Sequence, residues 1–302
     1  VVQAQLVDVD LFDIKFQVKR YSCSLNREEP IEIKPYVNFY ININDVCQAQ
    51  CRFCEYHTET SRRFDMEKLI LVLKELKNKG LPINKLNFSG GEPTLNFEII
   101  EEVMSHIDKG IYVTLNTNGY NFNELASSSI IDRLSCISLS RHHYDDTINM
   151  KIFKAWTPTL KDIEAFPFKE KLHLRCNLIK GFIDNQEEAT IYIESLSKVG
   201  VYDYGFVSLM RINEFCEEHF VDYNTFNFDQ TGRTHTCYTQ ERKEVCNCKN
   251  FLYYTKSGEL VKMYSRVNHN IKYEANNLVY DINKLKKGFN GEVILCKSIL
   301  SG

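Results

Sequence analysis

What most constrains this chain is a rhythm. From Tyr36 to Met210 short β-rich runs alternate with longer amphipathic ones, the pattern of βα units and of a parallel sheet with helices packed on it. Strands are expected over Val37 to Ile43, Lys85 to Phe88, Ile111 to Asn116, Leu134 to Ser140, Leu172 to Ile179 and Tyr204 to Leu209. The clearest helix is Asp65 to Lys79, where Leu69, Ile70, Leu73 and Leu76 recur at three- and four-residue spacing, Asp65 suits the N-cap, and Gly80 with Pro82 ends it. Further helices are expected over Phe97 to Asp108 and Gln186 to Val199. Consecutive βα units with right-handed crossovers curve into a partial barrel, and chemistry in such folds sits at the carboxyl ends of the strands. Asn44 to Cys54, Ser89 to Pro93, Asn116 to Gly119 and Ser140 to Asp146, the segments with the most chemical character, each follow an expected strand.

Length and charge narrow the function. The chain has 302 residues, with 37 Lys+Arg against 40 Asp+Glu and a formal charge of −3. That leaves room for one large α/β domain and a small appendage, without the basic excess of a phosphate-backbone binder. Nucleic acid is not an expected partner. The longest aliphatic run, Leu69 to Leu73, falls well short of the about 20 apolar residues that span a bilayer. Val1 to Asp8 carries neither the basic nor the long apolar segment of a secretory signal. A cytoplasmic location without a membrane partner is expected.

Eleven cysteines, an odd count, cannot all join one disulfide framework. Six stand in two groups, Cys47, Cys51 and Cys54, then Cys237, Cys246 and Cys248, and such grouping suits metal ligation in a reducing compartment. Three regions are expected. Residues 1–35 form a β-rich extension with an alternating run from Leu6 to Val18, residues 36–212 the βα core, and residues 213–302 a C-terminal domain. In the last, Phe251 to Val261 reads as two strands joined at Ser257 and Gly258.

Cys47-Gln48-Ala49-Gln50-Cys51-Arg52-Phe53-Cys54 places three thiols in one loop after a β-rich run. Structural zinc wants four protein ligands, commonly as two pairs, with His57 as an available fourth. An iron–sulfur cluster held by three cysteines keeps one iron open for an exogenous ligand. With Phe88-Ser89-Gly90-Gly91-Glu92-Pro93 after the next strand, and with the βα order, the chain from residue 36 to 210 resembles the radical S-adenosylmethionine (radical SAM) superfamily. The resemblance implies an α/β fold, a partial (βα)6 TIM barrel of the radical SAM type with a small C-terminal auxiliary-cluster domain. It implies that Cys47, Cys51 and Cys54 hold a [4Fe-4S] cluster with one open iron, which binds S-adenosylmethionine and cleaves it reductively. The 5′-deoxyadenosyl radical then takes a hydrogen atom from substrate, and the electron comes from a donor such as flavodoxin or ferredoxin.

The resemblance also suggests roles for neighbouring residues. Gly90 and Gly91 let the main chain approach a ligand closely, and Glu92 offers an acceptor to a cationic amine; alone, the stretch is also an ordinary Gly-Gly turn. Asn116 and Asn118 stand where ribose hydroxyls are approached. Ser140 and Arg141 follow the fourth strand, and Arg175 on the fifth offers a fork for a carboxylate or for a structural acid. Phe53 and Val207 are candidates to pack by adenine, or core. In Arg141-His142-His143-Tyr144-Asp145-Asp146, His142, His143 and Tyr144 are candidates for proton delivery or substrate orientation. The competing reading is a loop in which Asp145 or Asp146 caps the next helix.

Cys237, Cys246 and Cys248 read as ligands of an auxiliary [4Fe-4S] cluster, with Cys296 or substrate on its fourth iron and zinc as the alternative. Superfamily members with a twitch or SPASM-like extension often carry a cysteine, a glycine about ten residues on and a cysteine five beyond. Cys248 and Gly258 fit the first two places, and the third is Met263. Enzymes with such extensions often modify ribosomally made peptides, the leading substrate class here. A small molecule such as a sugar, nucleotide or amino acid is the alternative, and a non-catalytic zinc or iron–sulfur protein is the rival from another class.

Overall fold

The computed structural model describes residues 2–12, 14–23, 31–33, 36–54, 63–226, 232–236, 251–255, 260–264, 273–281 and 284–289. Two compact units share them, the described residues of Val1–Gln48, Glu55–Ser138 and Lys272–Phe289 in the first and those of Ala49–Cys54 and Leu139–Ile271 in the second. The fold is α/β, and its parallel sheet holds six strands in chain order, β4 (Val37–Asn42), β5 (Ile83–Ser89), β6 (Tyr112–Thr117), β7 (Cys136–Ser140), β8 (Leu172–Leu178) and β9 (Asp203–Ser208). These are the six strands expected from the sequence.

The first unit begins with β1 (Val2–Leu11) and β2 (Ile14–Cys23), paired antiparallel from Val2 with Cys23 to Leu11 with Ile14. The alternating N-terminal run therefore makes strands, and β3 (Ile31–Ile33) joins β2. β4, β5 and β6 pair in parallel, and β13 (Tyr273–Asp281) returns to lie parallel to β4 with β14 (Lys284–Phe289) antiparallel outside it.

Alternation gives the two faces of these strands different chemistry. Val37, Phe39, Ile41, Leu86, Phe88, Val113 and Leu115 are fully buried on one face, each contributing about 1.5–3 kcal/mol of apolar burial. The intervening residues are polar, and Asn38, Asn87 and Thr114 are buried as well. A polar face removed from water needs internal partners or a ligand. α1 (Met66–Asn78) forms where the periodicity placed it, with Lys68 N donating to the Asp65 cap at 2.9 Å and Leu69, Val72 and Leu76 buried. Gly80, at φ +64°, takes the left-handed turn that ends it. α2 (Phe97–Ser105) buries Ile100, Val103 and Met104, and the short α3 (Phe122–Ser127) follows β6.

In the second unit β8 and β9 are parallel, and β12 (Leu260–Tyr264) adds to β9 in parallel. β11 (Phe251–Thr255) pairs antiparallel with β12, as expected of a hairpin, and β10 (Gly232–Thr236) with β11. The expected turn residues Ser257 and Gly258 lie outside the described residues. The helices are α4 (Asp146–Phe153), α5 (Leu160–Ala165) with a Thr159–Asp162 capping box, α6 (Gln186–Ser197) capped by Asn185, and α7 (Glu214–Glu218). Among the described residues no helix is long and apolar enough to cross a membrane.

Candidate active site

The first unit joins the loop after β4 to the loop after β5. Gly91 N donates to Asn44 O at 3.0 Å and to Asn44 Oδ1 at 3.1 Å, while Glu92 N donates to Val46 O at 2.8 Å. The fully buried Asn44 returns a bond, its Nδ2 donating to Glu92 O at 2.9 Å. These contacts explain the two glycines. A β-carbon at Gly90, whose φ is +138°, would stand 2.4 Å from Asn44 O, and one at Gly91 would stand 2.0 Å from Val46 O. The close approach the glycines permit is thus made against the segment that leads directly into Cys47.

Glu92 is 1% exposed, and its carboxylate is taken up inside the protein. Oε1 accepts from Thr94 N at 3.0 Å, Thr94 Oγ1 at 2.6 Å and Thr117 Oγ1 at 2.6 Å, and Oε2 accepts from Asn118 N at 2.7 Å. Burial pushes its pKa above the ordinary 4.5, against the lowering pull of the four donors. The carboxylate therefore ties the turn after β6 to the Gly-Gly loop. Glu92→Gln turns one acceptor into a donor facing a donor. It is expected to cost about 2 kcal/mol, measured as a lower urea midpoint at unchanged slope.

Asn116 Nδ2 donates to Asn87 Oδ1 at 2.8 Å and to Phe88 O at 3.3 Å. Its Oδ1, with Thr114 Oγ1 and Ser138 Oγ, is buried without a hydrogen-bond partner. Each such atom costs about 1–3 kcal/mol unless a ligand or water reaches it. Asn118 points elsewhere, its Nδ2 donating to Cys47 Sγ at 3.4 Å and its Oδ1 accepting from Gln48 Nε2 at 2.9 Å.

In the second unit the rest of the cysteine loop is held by its own neighbours. Cys54 N donates to Cys51 O at 3.1 Å, and Gln50 N to Phe153 O at 2.9 Å. Asn213, the N-cap of α7, donates from Nδ2 to Arg52 O at 3.0 Å, and the Arg52 guanidinium lies 4.4 Å from the Phe215 ring centroid. Phe53 packs against a buried group of Ile152, Ile179, Leu209 and Cys216, with its ring edge-on to His142 at 5.1 Å. Val207 is buried on β9, Ser140 ends β7 half-buried, and Arg175 O on β8 accepts from Arg141 N at 2.9 Å.

The polar run after β7 is closely built. Arg141 is 1% exposed, its guanidinium donating to Pro158 O at 2.8 Å, Tyr144 O at 2.9 Å and Asp146 Oδ1 at 2.6 Å. His142 stacks on Phe153 at 4.7 Å, and its Nδ1 accepts from Asn177 N at 3.0 Å. His143 Nδ1 accepts from Asp145 N at 2.9 Å, and burial lowers its pKa below 6.5 against the opposing charges of Glu188 and Asp145. An Nδ1 that accepts a backbone N–H leaves the proton of a neutral imidazole on Nε2. Burial raises the Tyr144 pKa, helped by a hydrogen bond with Glu188. Asp145 caps α4, accepting from Ile148 N at 2.9 Å, as the capping reading expected. Asn149, which the sequence reading passed over, is buried here and accepts from His142 N at 2.8 Å and His143 N at 3.2 Å. A lone asparagine on an amphipathic helix carries no sequence signal of that role.

The donor set suits an iron–sulfur cluster. None of Cys47, Cys51 and Cys54 is in a disulfide, and soft thiolates favour iron–sulfur clusters. The amide aimed at Cys47 Sγ is a partner suited to a thiolate ligand. Among the described residues no group of three or more His, Cys, Asp or Glu side chains is gathered as a metal site. Cys237, Cys246, Cys248 and Cys296 lie outside the described residues, as does His57.

The family model described as the radical SAM superfamily matches residues 41–166, a span that contains both the cysteine loop and the Gly-Gly-Glu-Pro stretch. A protein named "Probable GTP 3',8-cyclase" from Saccharolobus islandicus is 27% identical over 185 residues, 58% of each chain. This chain thus spans little more than half the length of that relative. The solved structure of Streptococcus suis SuiB bound to S-adenosylmethionine is similar in fold, with a TM-score of 0.54 at 13% identity over 88% of this chain and 68% of the other. SuiB bound to its precursor peptide SuiA gives a TM-score of 0.55 at 14% identity, covering 84% of this chain and 59% of the other. The family model and the sequence relative support the radical SAM superfamily for this chain.

Proposed function

We infer that this chain is a radical SAM enzyme that cleaves S-adenosylmethionine reductively and abstracts a hydrogen atom from its substrate. The observation that carries this reading is the seating of Gly90 to Glu92 on Asn44 to Val46, directly before the first of three spaced cysteines. A [4Fe-4S] cluster on Cys47, Cys51 and Cys54, with S-adenosylmethionine on its open iron, would supply the electron transfer that breaks the sulfonium bond and frees a 5′-deoxyadenosyl radical. The protein's share is orientation and exclusion of competing reactions. Asn44 and Glu92 fix the two loops with buried bonds. Asn116 Oδ1, Thr114 Oγ1 and Ser138 Oγ offer hydrogen-bond acceptors to a bound polar ligand. His142 and His143 each present Nε2–H as the donor, and Asn149 holds the backbone of both. A flavodoxin or ferredoxin would bring the electron.

The substrate in this reading is a ribosomally made peptide, supported by the second cysteine group, Cys237, Cys246 and Cys248, as ligands of an auxiliary cluster. The sequence relative named as a GTP cyclase favours a second reading, a nucleotide or other small molecule. Deuterated candidates separate the two, because label reaches 5′-deoxyadenosine only from a true hydrogen donor. Label from a nucleotide and none from peptides would replace the first reading with the second. A reduced, iron-loaded protein that makes no 5′-deoxyadenosine under any condition would instead favour a non-catalytic metal protein.

A further inference from the structure

Asn118 closes the turn after β6, and its carboxamide is held on both sides. Oδ1 accepts from Tyr120 N at 3.0 Å and from Gln48 Nε2 at 2.9 Å. A backbone N–H can only donate, so the amide oxygen must face Tyr120 and the NH2 group must face the other way. There it meets Cys47 Sγ at 3.4 Å. The residue is 8% exposed, its own backbone N–H is fixed by Glu92 Oε2 at 2.7 Å, and Gly119, at φ +82°, turns the chain away behind it. The donor is therefore set in place by the protein before any cofactor arrives.

We propose that Asn118 is a positioning residue for Cys47, donating a hydrogen bond to the thiolate and thereby raising the reduction potential of the cluster that Cys47 helps to hold. The proposal rests on the reading of Cys47 as a cluster ligand. An N–H directed at a cysteine sulfur draws charge from it. Reduction adds negative charge to the cluster, so the bond favours the reduced state, and hydrogen bonds to sulfur are among the factors that set such potentials. The same geometry leaves the carboxamide oxygen occupied twice inside the protein, which argues against Asn118 as an acceptor for ribose hydroxyls.

The test is a reductive titration followed by electron paramagnetic resonance on anaerobically reconstituted wild type, Asn118→Ala and Gln48→Ala, without S-adenosylmethionine. Iron content and S-adenosylmethionine affinity are measured on the same samples. Asn118→Ala is expected to hold wild-type iron and to reduce at a more negative potential. Gln48→Ala, which frees one side of the carboxamide, shifts in the same direction by less, and it decides the matter if Asn118→Ala does not assemble. A potential equal to that of wild type in the variants that hold a cluster overturns the proposal. If S-adenosylmethionine affinity falls at that unchanged potential, Asn118 belongs to the ribose instead. A wild type that takes up no iron overturns the cluster reading itself, and the proposal with it.

Discussion

Gly91→Ala is expected to destabilise the protein by about 3 kcal/mol or more, the upper end of what overpacking costs. The added carbon would stand 2.0 Å from Val46 O, 2.4 Å from Val46 C and 2.9 Å from Val46 N. All three are backbone atoms, so no side chain can swing aside. Relief requires the two loops to part, which breaks the 2.8 Å bond from Glu92 N to Val46 O and the bonds from Gly91 N to Asn44. Thermal melting should show a fall of about 5 °C or more for a chain of this size. Gly110→Ala is the matched control, because nothing lies within 4 Å of a β-carbon built there. A melting temperature for Gly91→Ala equal to that of Gly110→Ala would mean that the loops are not seated as described.

The second large effect is chemical. Cys51→Ala is expected to lower 5′-deoxyadenosine formation from S-adenosylmethionine by more than about 100-fold. Loss of a mere outer-shell partner already costs 10–100-fold at metal sites, and Cys51 is proposed as a direct ligand. Chromatographic quantification of 5′-deoxyadenosine after chemical reduction reads the result. The fold should survive, since Cys51 is buried at 7% exposure but small. Cleavage at the wild-type rate would remove Cys51 from the ligand set.

Much of the fold was legible in the sequence because its signals are local. The six parallel strands start and stop within two residues of the apolar runs that announced them, and Asp65 and Gly80 bound α1 as their chemistry suggested. α5 was not foreseen, and α4 was expected only as the helix that Asp145 or Asp146 would cap. The inward side of α4 carries Asn149 beside Ile152 and Phe153, so its apolar stripe is interrupted by a residue kept for hydrogen bonding. The pairing of β13 with β4 joins residues more than two hundred positions apart, which no window of sequence can reveal.

The site was legible in kind and less so in detail. Cysteine spacing and the Gly-Gly-Glu-Pro stretch marked the right loops, but residue type alone does not say where a side chain spends its bonds. Glu92 looked like an acceptor for a cationic amine, and the structure gives its oxygens to Thr94, Thr117 and Asn118. Asn118 looked like a contact for ribose, and its amide reaches a sulfur 71 residues earlier in the chain. Arg141 stood in a polar run and is nonetheless buried, with two carbonyls and Asp146 accepting from its terminal nitrogens while its Nε has no hydrogen-bond partner.

The central claim is that Cys47, Cys51 and Cys54 hold a [4Fe-4S] cluster. Its most direct test is iron, sulfide and zinc content of anaerobically reconstituted wild type against a variant with all three cysteines replaced by alanine. The account predicts a loss of about four irons and about four sulfides, the content of one such cluster, whatever further metal the C-terminal cysteines retain. Equal iron in the two proteins, or zinc lost in place of iron, would contradict it.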